Sequence, residues 1–424
     1  MVNAQEFNKA LEIGRPPNIR KLFPNSKALI VSGKAIDRAM LKKGKAMTIA
    51  ANGRNSMVIR GVLKAAQRAN AAVIIEIAKS EATYCLISMW NLARYVDTFC
   101  NELGITIPVA IHADHFGLKK QPEVGKAKTD IPSMFDAGIT SIAIDASHMV
   151  DEDNLLANID LSSYIPSWAG YETEVGEIKG KEGLSTPEEA LFLIQGLNAH
   201  GIFPDWIALN NGTTHGIEAT DSGIDVELTK HIHQALERYR VSGAQHGTSG
   251  NSYERLKKIA SATHTTKANV ATALQMISWG VKVNEFGNAF LNDRGDFIKL
   301  PDAGVSEGLW AEMVAYAQKN SLKGGNYKNL NLPFENKLLS EPREIRERMA
   351  GNVEDFVYDL LVTWFNAEGT APLAIEAILE KGSYDLGPKA SGIEDPAGWT
   401  REKIQERALA LHGKEHSGSG NYDD

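Results

Sequence analysis

The chain is poor in cysteine: its 424 residues include only two, Cys85 and Cys100, and neither belongs to a C-x-x-C pair. Two thiols do not make a disulfide framework, so the sequence reads as that of a protein of a reducing compartment, the cytoplasm. No run of about 18 apolar residues occurs, which excludes a hydrophobic membrane-spanning helix. The opening stretch MVNAQEFNKALEIGRPPNIRKLF is mixed and polar and lacks the apolar centre of a secretory leader. Basic residues are not in excess. Lys and Arg number 45 against 53 Asp and Glu, a net charge of −8. A nucleic-acid partner is therefore not expected, although a local cationic pocket remains compatible with that balance. No G-x-G-x-x-G follows a strand-like run, which weakens a dinucleotide-binding reading.

What the chain does have is a composition that builds a large core, with 43% hydrophobic and 23% charged residues. Short apolar runs alternate with helical patterns. Strands are expected over 46–53, 73–78, 107–114, 139–148, 170–177, 205–212, 242–247 and 281–287, with helices between them. The run Thr186-Pro187-Glu188-Glu189 has the N-cap, first-turn proline and capping-box glutamate of a helix start. Parallel strands separated by amphipathic helices, about eight in number, predict an α/β fold, a (β/α)8 TIM barrel. An open, doubly wound sheet is the alternative, because periodicity does not prove closure. Beyond residue 300 the alternation stops and LWAEMVAYAQ, VEDFVYDLLVTWFNAE and REKIQERALALH read as helices. The expected organisation is a barrel with an N-terminal helical segment over 1–305, a helical C-terminal extension over 306–415, and a Gly/Ser/Asp-rich disordered tail over 416–424.

In such a barrel every strand's C-terminal end opens on one face, where the chemistry collects. In order, these ends bring Asn52; His112, Asp114 and His115; Asp145 and His148, with Asp151 beyond; Glu172 and Glu174, followed by a Gly-rich loop with Glu182; Asn210, Asn211 and His215; His246; and Asn284. The chain has eleven histidines, and several converge here. Any one of them alone reads more simply as a hydrogen-bonded strand-end residue. Single histidines from three different strands, however, would surround one divalent ion and leave a position open for substrate, as a catalytic zinc requires. Alternate strand residues share a face, so either Glu172 with Glu174 or Thr173 with Val175 points inward. HGTSG, at 246–250, leads into a helical segment and suits an anionic group, although Gly/Ser turns are common.

Taken together, IHADH (111–115), AGITSIAIDASHMVDEDNLLANI (137–159), ETEVGEIKGKEG (172–183), THG (214–216), HGTSG and VKVN (281–284) resemble, in order and spacing, the class II zinc-dependent fructose-bisphosphate aldolases. The resemblance spans Asn52 to Asn284. It implies His115, His215 and His246 as zinc ligands and Asp114 as the acid serving the aldehyde-derived hydroxyl. Glu182 matches the loop residue that takes a proton from dihydroxyacetone phosphate. Glu174 matches a glutamate behind the ligands or at a second metal position, with Asp151 or Asp145 as its partner. Gly216, Gly247, Thr248, Ser249 and Asn284 fall where the family binds substrate phosphate or a monovalent cation, and Asn52 falls near the zinc and the enediolate. Arg343 resembles an arginine that reaches a phosphate across a subunit boundary.

The family's lysine after His215-Gly216 is missing from HGIEATDSG. Its Asn-x-Asp-Thr is replaced by Asn284-Glu285-Phe286-Gly287, and its Gly-Gly-Ser by Gly247-Thr248-Ser249. These departures touch the sugar more than the metal. The resemblance implies reversible cleavage of fructose 1,6-bisphosphate to dihydroxyacetone phosphate and glyceraldehyde 3-phosphate, in a homo-oligomer. Tagatose bisphosphate or another ketose phosphate is the nearest alternative. A metal-dependent barrel hydrolase is a second, but it leaves ETEVG and the Glu182 loop unexplained. A non-catalytic sugar-phosphate-binding relative is a third.

Overall fold

The computed structural model describes residues 2–176, 183–212, 223–249, 251–284, 288–293 and 295–412. Nine strands occur among them: β1 (Ile30–Val31), β2 (Thr48–Asn52), β3 (Val73–Ala78), β4 (Val109–Gly117), β5 (Ser141–Asp145), β6 (Gly170–Val175), β7 (Trp206–Leu209), β8 (Ser242–Gln245) and β9 (Thr265–Val270). Each of β2 to β9 pairs in parallel with its sequence neighbours. β2 also pairs with β9, so these eight strands close into a (β/α)8 barrel. The short β1 pairs with the start of β4, Ile30 beside Val109, while the β4–β5 ladder begins only at His112 and Ser141. β1 therefore fills the base of the barrel where those two strands part.

The connecting helices form where the caps and apolar faces dictate. Asn55 accepts from the backbone N–H groups of Met57 and Val58 to start the helix Ser56–Ala69, whose buried stripe lies on the barrel. The capping box expected at Thr186 and Glu189 is present at the start of Pro187–Ala199.

One strand lies elsewhere than expected. Within the segment 281–287, the described residues 281–284 are not in the barrel. They belong to an antiparallel arm, with bridges Val281–Lys299 and Val283–Ala289. The eighth barrel strand is β9, TTKANV. It carries few apolar residues because its inward side chains, Lys267 and Asn269, meet charged groups in the barrel interior.

Beyond the arm, the helices Glu307–Lys319, Asn331–Ser340, Arg343–Asp359, Thr370–Lys381 and Arg401–His412 pack around the barrel. Arg343–Asp359 lies so close to Ser56–Ala69 that a Cβ at Gly61 would come within 2.5 Å of both the Ala350 carbonyl oxygen and the Val353 Cβ. Thr370–Lys381 packs on Gly33–Lys43. The segment after it inserts Lys389, whose Nζ donates to Asp37 Oδ2 at 2.6 Å, the Asp205 carbonyl at 2.8 Å and Ser242 Oγ at 2.5 Å. Asp205 and Ser242 flank the starts of β7 and β8, so this contact seals the face opposite the strand C-termini.

Candidate metal centre and active site

The site grows from an irregularity in β4. Ala113 pairs with Ile142 and Phe116 with Ile144, so three steps on β4 face two on β5. The extra residue is a β-bulge, and His115 within it has φ +39°, a left-handed conformation rare for a side chain other than glycine. A regular strand would send Asp114 and His115 to opposite faces. Here both line the same cavity.

Three elements meet at His115. Its Nε2 faces His246 Nδ1, just after β8, at 2.7 Å. Its Nδ1 lies 3.4 Å from Asp145 Oδ2 at the end of β5 and 3.3 Å from Glu174 Oε2 on β6. The inward acids of β6 are Glu172 and Glu174, whereas Thr173 donates outward to Asn158 Oδ1 at 3.1 Å. Glu172 Oε1 lies 2.8 Å from His246 Nε2 and its Oε2 accepts from Lys267 Nζ at 2.8 Å. That contact orients the imidazole with Nδ1 towards His115. Lys267 also lies 3.3 Å from Glu76 and 3.2 Å from His112 Nε2, deep in the barrel.

The electrostatics follow from this crowding. Burial works against charge on His115, but Asp114, Glu174 and Asp145 outweigh it and hold its pKa well above the ordinary imidazole value. Burial would raise Asp114, yet His115, Lys267 and His246 bring it down to about 2. Glu172 is likewise held low, by Lys267 and His246 against burial. His112 is pushed down to about 3 by burial and by Lys267, so it is a neutral interior group. Burial pushes the pKa of both cysteine thiols up, and both are packed.

The donor set suits a divalent ion. Asp114, His115 and His246 present ligand atoms within 4.8 Å of one another, and so do His115, Asp145 and Glu174. Glu174 Oε2 is buried and, beyond His115 Nδ1 at 3.3 Å, meets no hydrogen-bonding partner among the described residues, as expected of an oxygen turned towards a cation position. Imidazole nitrogens with carboxylate oxygens fit zinc, whose binding would displace the proton that the surrounding acids favour on His115.

Asp114 is held by amides on both sides. Asn269 Nδ2 donates to its Oδ1 at 2.8 Å and Asn52 Nδ2 to its Oδ2 at 3.2 Å. Asn52 also donates to Glu81 Oε2 at 2.9 Å, and Glu81 accepts from Arg54 Nε at 2.5 Å. These groups floor a cavity of about 860 Å³ at the C-terminal mouth of the barrel, which Gly247, Thr248 and Ser249 also line.

Other expected site residues stand apart. Asp151 begins the helix Asp151–Ser162, and it is Asp145 that groups with Glu174. Asn284 lies in the arm, where its side chain accepts from the Asn288 N–H at 2.9 Å, and it does not line the cavity. The strand-end position belongs to Asn269, in the run Asn269-Val270-Ala271-Thr272, which keeps the asparagine and threonine of the Asn-x-Asp-Thr pattern. Arg343 is exposed, pairs with Glu347 at 2.7 Å and does not line its own chain's cavity. Asn210 and Asn211 support the loops, donating to Gly183 and Gln245. Glu182, His215 and Gly216 lie outside the described residues. Sequence reading missed Glu81, Arg54, Lys267 and Asn269. The spacing K-x-N in β9, two inward residues on one strand, was the available signal for the last two.

A closed parallel barrel with an imidazole–carboxylate cluster at its C-terminal mouth defines a class of barrel proteins that carry residues of metal-binding type at their strand ends. Within that class, residues 34–321 match the family model described as fructose-bisphosphate aldolase class-II, and the chain belongs to that family. It is similar to a fructose-bisphosphate aldolase of Staphylococcus aureus (strain Mu50), 32% identical over 132 residues, 31% of this chain and 43% of that protein. That match spans less than half of the relative's length. It is also similar to a 6-phospho-5-dehydro-2-deoxy-D-gluconate aldolase of Halalkalibacterium halodurans, 30% identical over 246 residues, 55% of this chain and 79% of that protein. Among solved structures, the YdjI aldolase of Escherichia coli K12 shares the fold with a TM-score of 0.54 and 18% identity, covering 81% of this chain and 99% of that one. A fructose-bisphosphate aldolase of Campylobacter jejuni does so with a TM-score of 0.53 and 17% identity, over 81% and 97%.

Proposed function

We propose that the chain is a metal-dependent aldolase that reversibly cleaves a phosphorylated ketose, fructose 1,6-bisphosphate first, into dihydroxyacetone phosphate and an aldehyde. The observation that carries this reading is Asp114: an ionised carboxylate, clamped by two amides, within 4.8 Å of ligand nitrogens on His115 and His246. His115, His246 and His215 would hold the ion, zinc in the first instance, with Asp145 and Glu174 behind them or at a second position, and the bound ion would supply Lewis acidity at the ketone carbonyl.

In cleavage, Asp114 accepts the proton of the hydroxyl on the carbon that becomes the aldehyde. Its low pKa keeps it ionised for that step. Asn52 and Asn269 fix the direction of its oxygens. Glu182 returns a proton to the carbon left on the dihydroxyacetone phosphate half. Gly247, Thr248 and Ser249 take that half's phosphate.

A second substrate reading has its own support. The match to the Halalkalibacterium protein covers more of both chains than the Staphylococcus match does, and that protein's named substrate is an aldonate, with a carboxylate at one end.

The test is cleavage of fructose 1,6-bisphosphate by zinc-loaded protein with and without a chelator, together with exchange of the carbon-bound proton of dihydroxyacetone phosphate. Chelator-sensitive exchange is expected. Glu182→Ala should abolish exchange with zinc retained, and His215→Ala should lose both. Exchange that survives full zinc removal would refute the reading.

A further inference from the structure

We propose that Glu81, fixed by Arg54, is a positioning residue for the aldol step: it locks the orientation of the Asn52 amide, and through Asn52 it aims Asp114 at the substrate hydroxyl. This rests on the aldolase reading above. The topology gathers the side chains. β2 lies between β3 and β9, and Asn52 is its last residue. Glu81 belongs to the turn Ser80–Thr83 that follows β3, and Arg54 stands two residues beyond Asn52. All three are buried and line the cavity.

The lock is made of hydrogen bonds to one carboxylate. Glu81 Oε2 accepts from Asn52 Nδ2 at 2.9 Å and from the Ala78 N–H at 2.8 Å, while its Oε1 accepts from Arg54 Nε at 2.5 Å. Asn52 Nδ2 has two hydrogens, and its two acceptors are Glu81 Oε2 and Asp114 Oδ2. A flipped amide would set Oδ1 against both carboxylates, so one orientation is left. In that orientation Oδ1, which meets no partner among the described residues, is the acceptor the amide offers to a substrate hydroxyl.

Arg54 holds Glu81 from the β9 side. Its Nη1 donates to Thr272 Oγ1 at 3.2 Å and to Gln275 Oε1 at 3.3 Å, both on the helix Thr272–Trp279. Gln275 Oε1 also accepts from Asn331 Nδ2 at 2.7 Å, and Asn331 lies beyond the family match, which ends at residue 321. Burial works against charge on Arg54, but Glu81 outweighs it. The sequence agrees with this arrangement. The Asn-x-Asp-Thr pattern carries an acid two residues after its asparagine, and here Ala271 stands there on the cavity wall. The run after β9 therefore brings no acid, and the carboxylate that meets Asn52 comes from beyond β3, on its other side.

The experiment measures cleavage of a ketose phosphate, fructose 1,6-bisphosphate first, by the zinc-loaded full chain and its variants, beside a signal from Asn52 that needs no turnover. Glu81→Gln should lower kcat roughly ten- to a hundredfold, with KM within about twofold of wild type and zinc retained. Because Glu81 acts through Asn52, adding Glu81→Gln to Asn52→Ala should cost nothing beyond the loss from Asn52→Ala alone. If Glu81→Gln folds poorly, Arg54→Lys keeps a charge beside Glu81 without the fork that bridges it to Thr272 and Gln275, and should lower kcat in the same way by less. In protein carrying 15N in its asparagine side chains, both Asn52 amide protons should exchange slowly with water, and Glu81→Gln should shift their signals and speed that exchange. Asn52 signals unchanged by Glu81→Gln, a double variant slower by the product of the single losses, or a loss borne by KM alone would overturn the positioning role. A wild type that shows the locked amide yet neither cleaves a ketose phosphate nor exchanges the dihydroxyacetone phosphate proton would support the lock and count against the aldolase reading alone.

Discussion

His233 shows how far burial alone sets a residue's behaviour. Its Nδ1 accepts from the His264 N–H at 3.1 Å, and it packs so tightly on Gly243 that a Cβ there would meet its ring at 2.3 Å. Burial, with a smaller push from His264, lowers its pKa to about 3. The unfolded chain takes up a proton near pH 6.5, whereas the native state resists until near 3, so the unfolded state binds more protons in between. This contribution to stability is present above about pH 6.5 and is lost as the pH falls, reaching about 2 kcal/mol by pH 5. Urea midpoints measured at pH 7 and pH 5 should show that fall, and His233→Gln should flatten the slope. An unchanged slope in the variant would refute the assignment.

At the scale of elements, the tightest demand is the crossing of Ser56–Ala69 and Arg343–Asp359. Gly61→Val should destabilise the protein by about 1–3 kcal/mol, since two packed helices must separate to admit the side chain. A wild-type urea midpoint would show that the crossing yields freely. The same scale explains what could be read in advance. Seven barrel strands were legible because apolar runs such as VIIEIA bury both faces, and Thr186 announced its helix through a capping box. β9 was hidden because its inward face answers the interior charges of Glu172 and Asp114 rather than the core. VKVN alternates more cleanly but lies in an arm, so alternation there reports an exposed ribbon with two different faces. At the site, the metal-binding residue types were visible at strand ends. The bulge that brings Asp114 and His115 to one side was not, because a register shift depends on β5 as much as on β4. Glu81 and Arg54 were missed because they pair with each other in the loops, away from any histidine motif.

For the whole molecule, the extension is part of the barrel's closure. Lys389→Met removes the ammonium from between Asp37, Ser242 and the Asp205 carbonyl, and leaves Asp37 with Arg38 and Thr266 alone. Loss of one partner from a buried ion pair costs about 3–5 kcal/mol, so the thermal midpoint should drop by several degrees and the segment around Lys389 should become open to protease. A variant with the wild-type midpoint and protease pattern would show that the plug is ornamental. The contact has a further consequence in time. Asp37 and Lys389 are 352 residues apart, and Gly33–Lys43 packs on Thr370–Lys381 near the other end of the chain. A ribosome adding about 5–20 residues per second makes the first partner roughly 18–70 s before the second. During synthesis the base of the barrel therefore stays unsealed while the strands that line its mouth are already made, and until the last segment emerges Asp37 relies on Arg38, Thr266 and water.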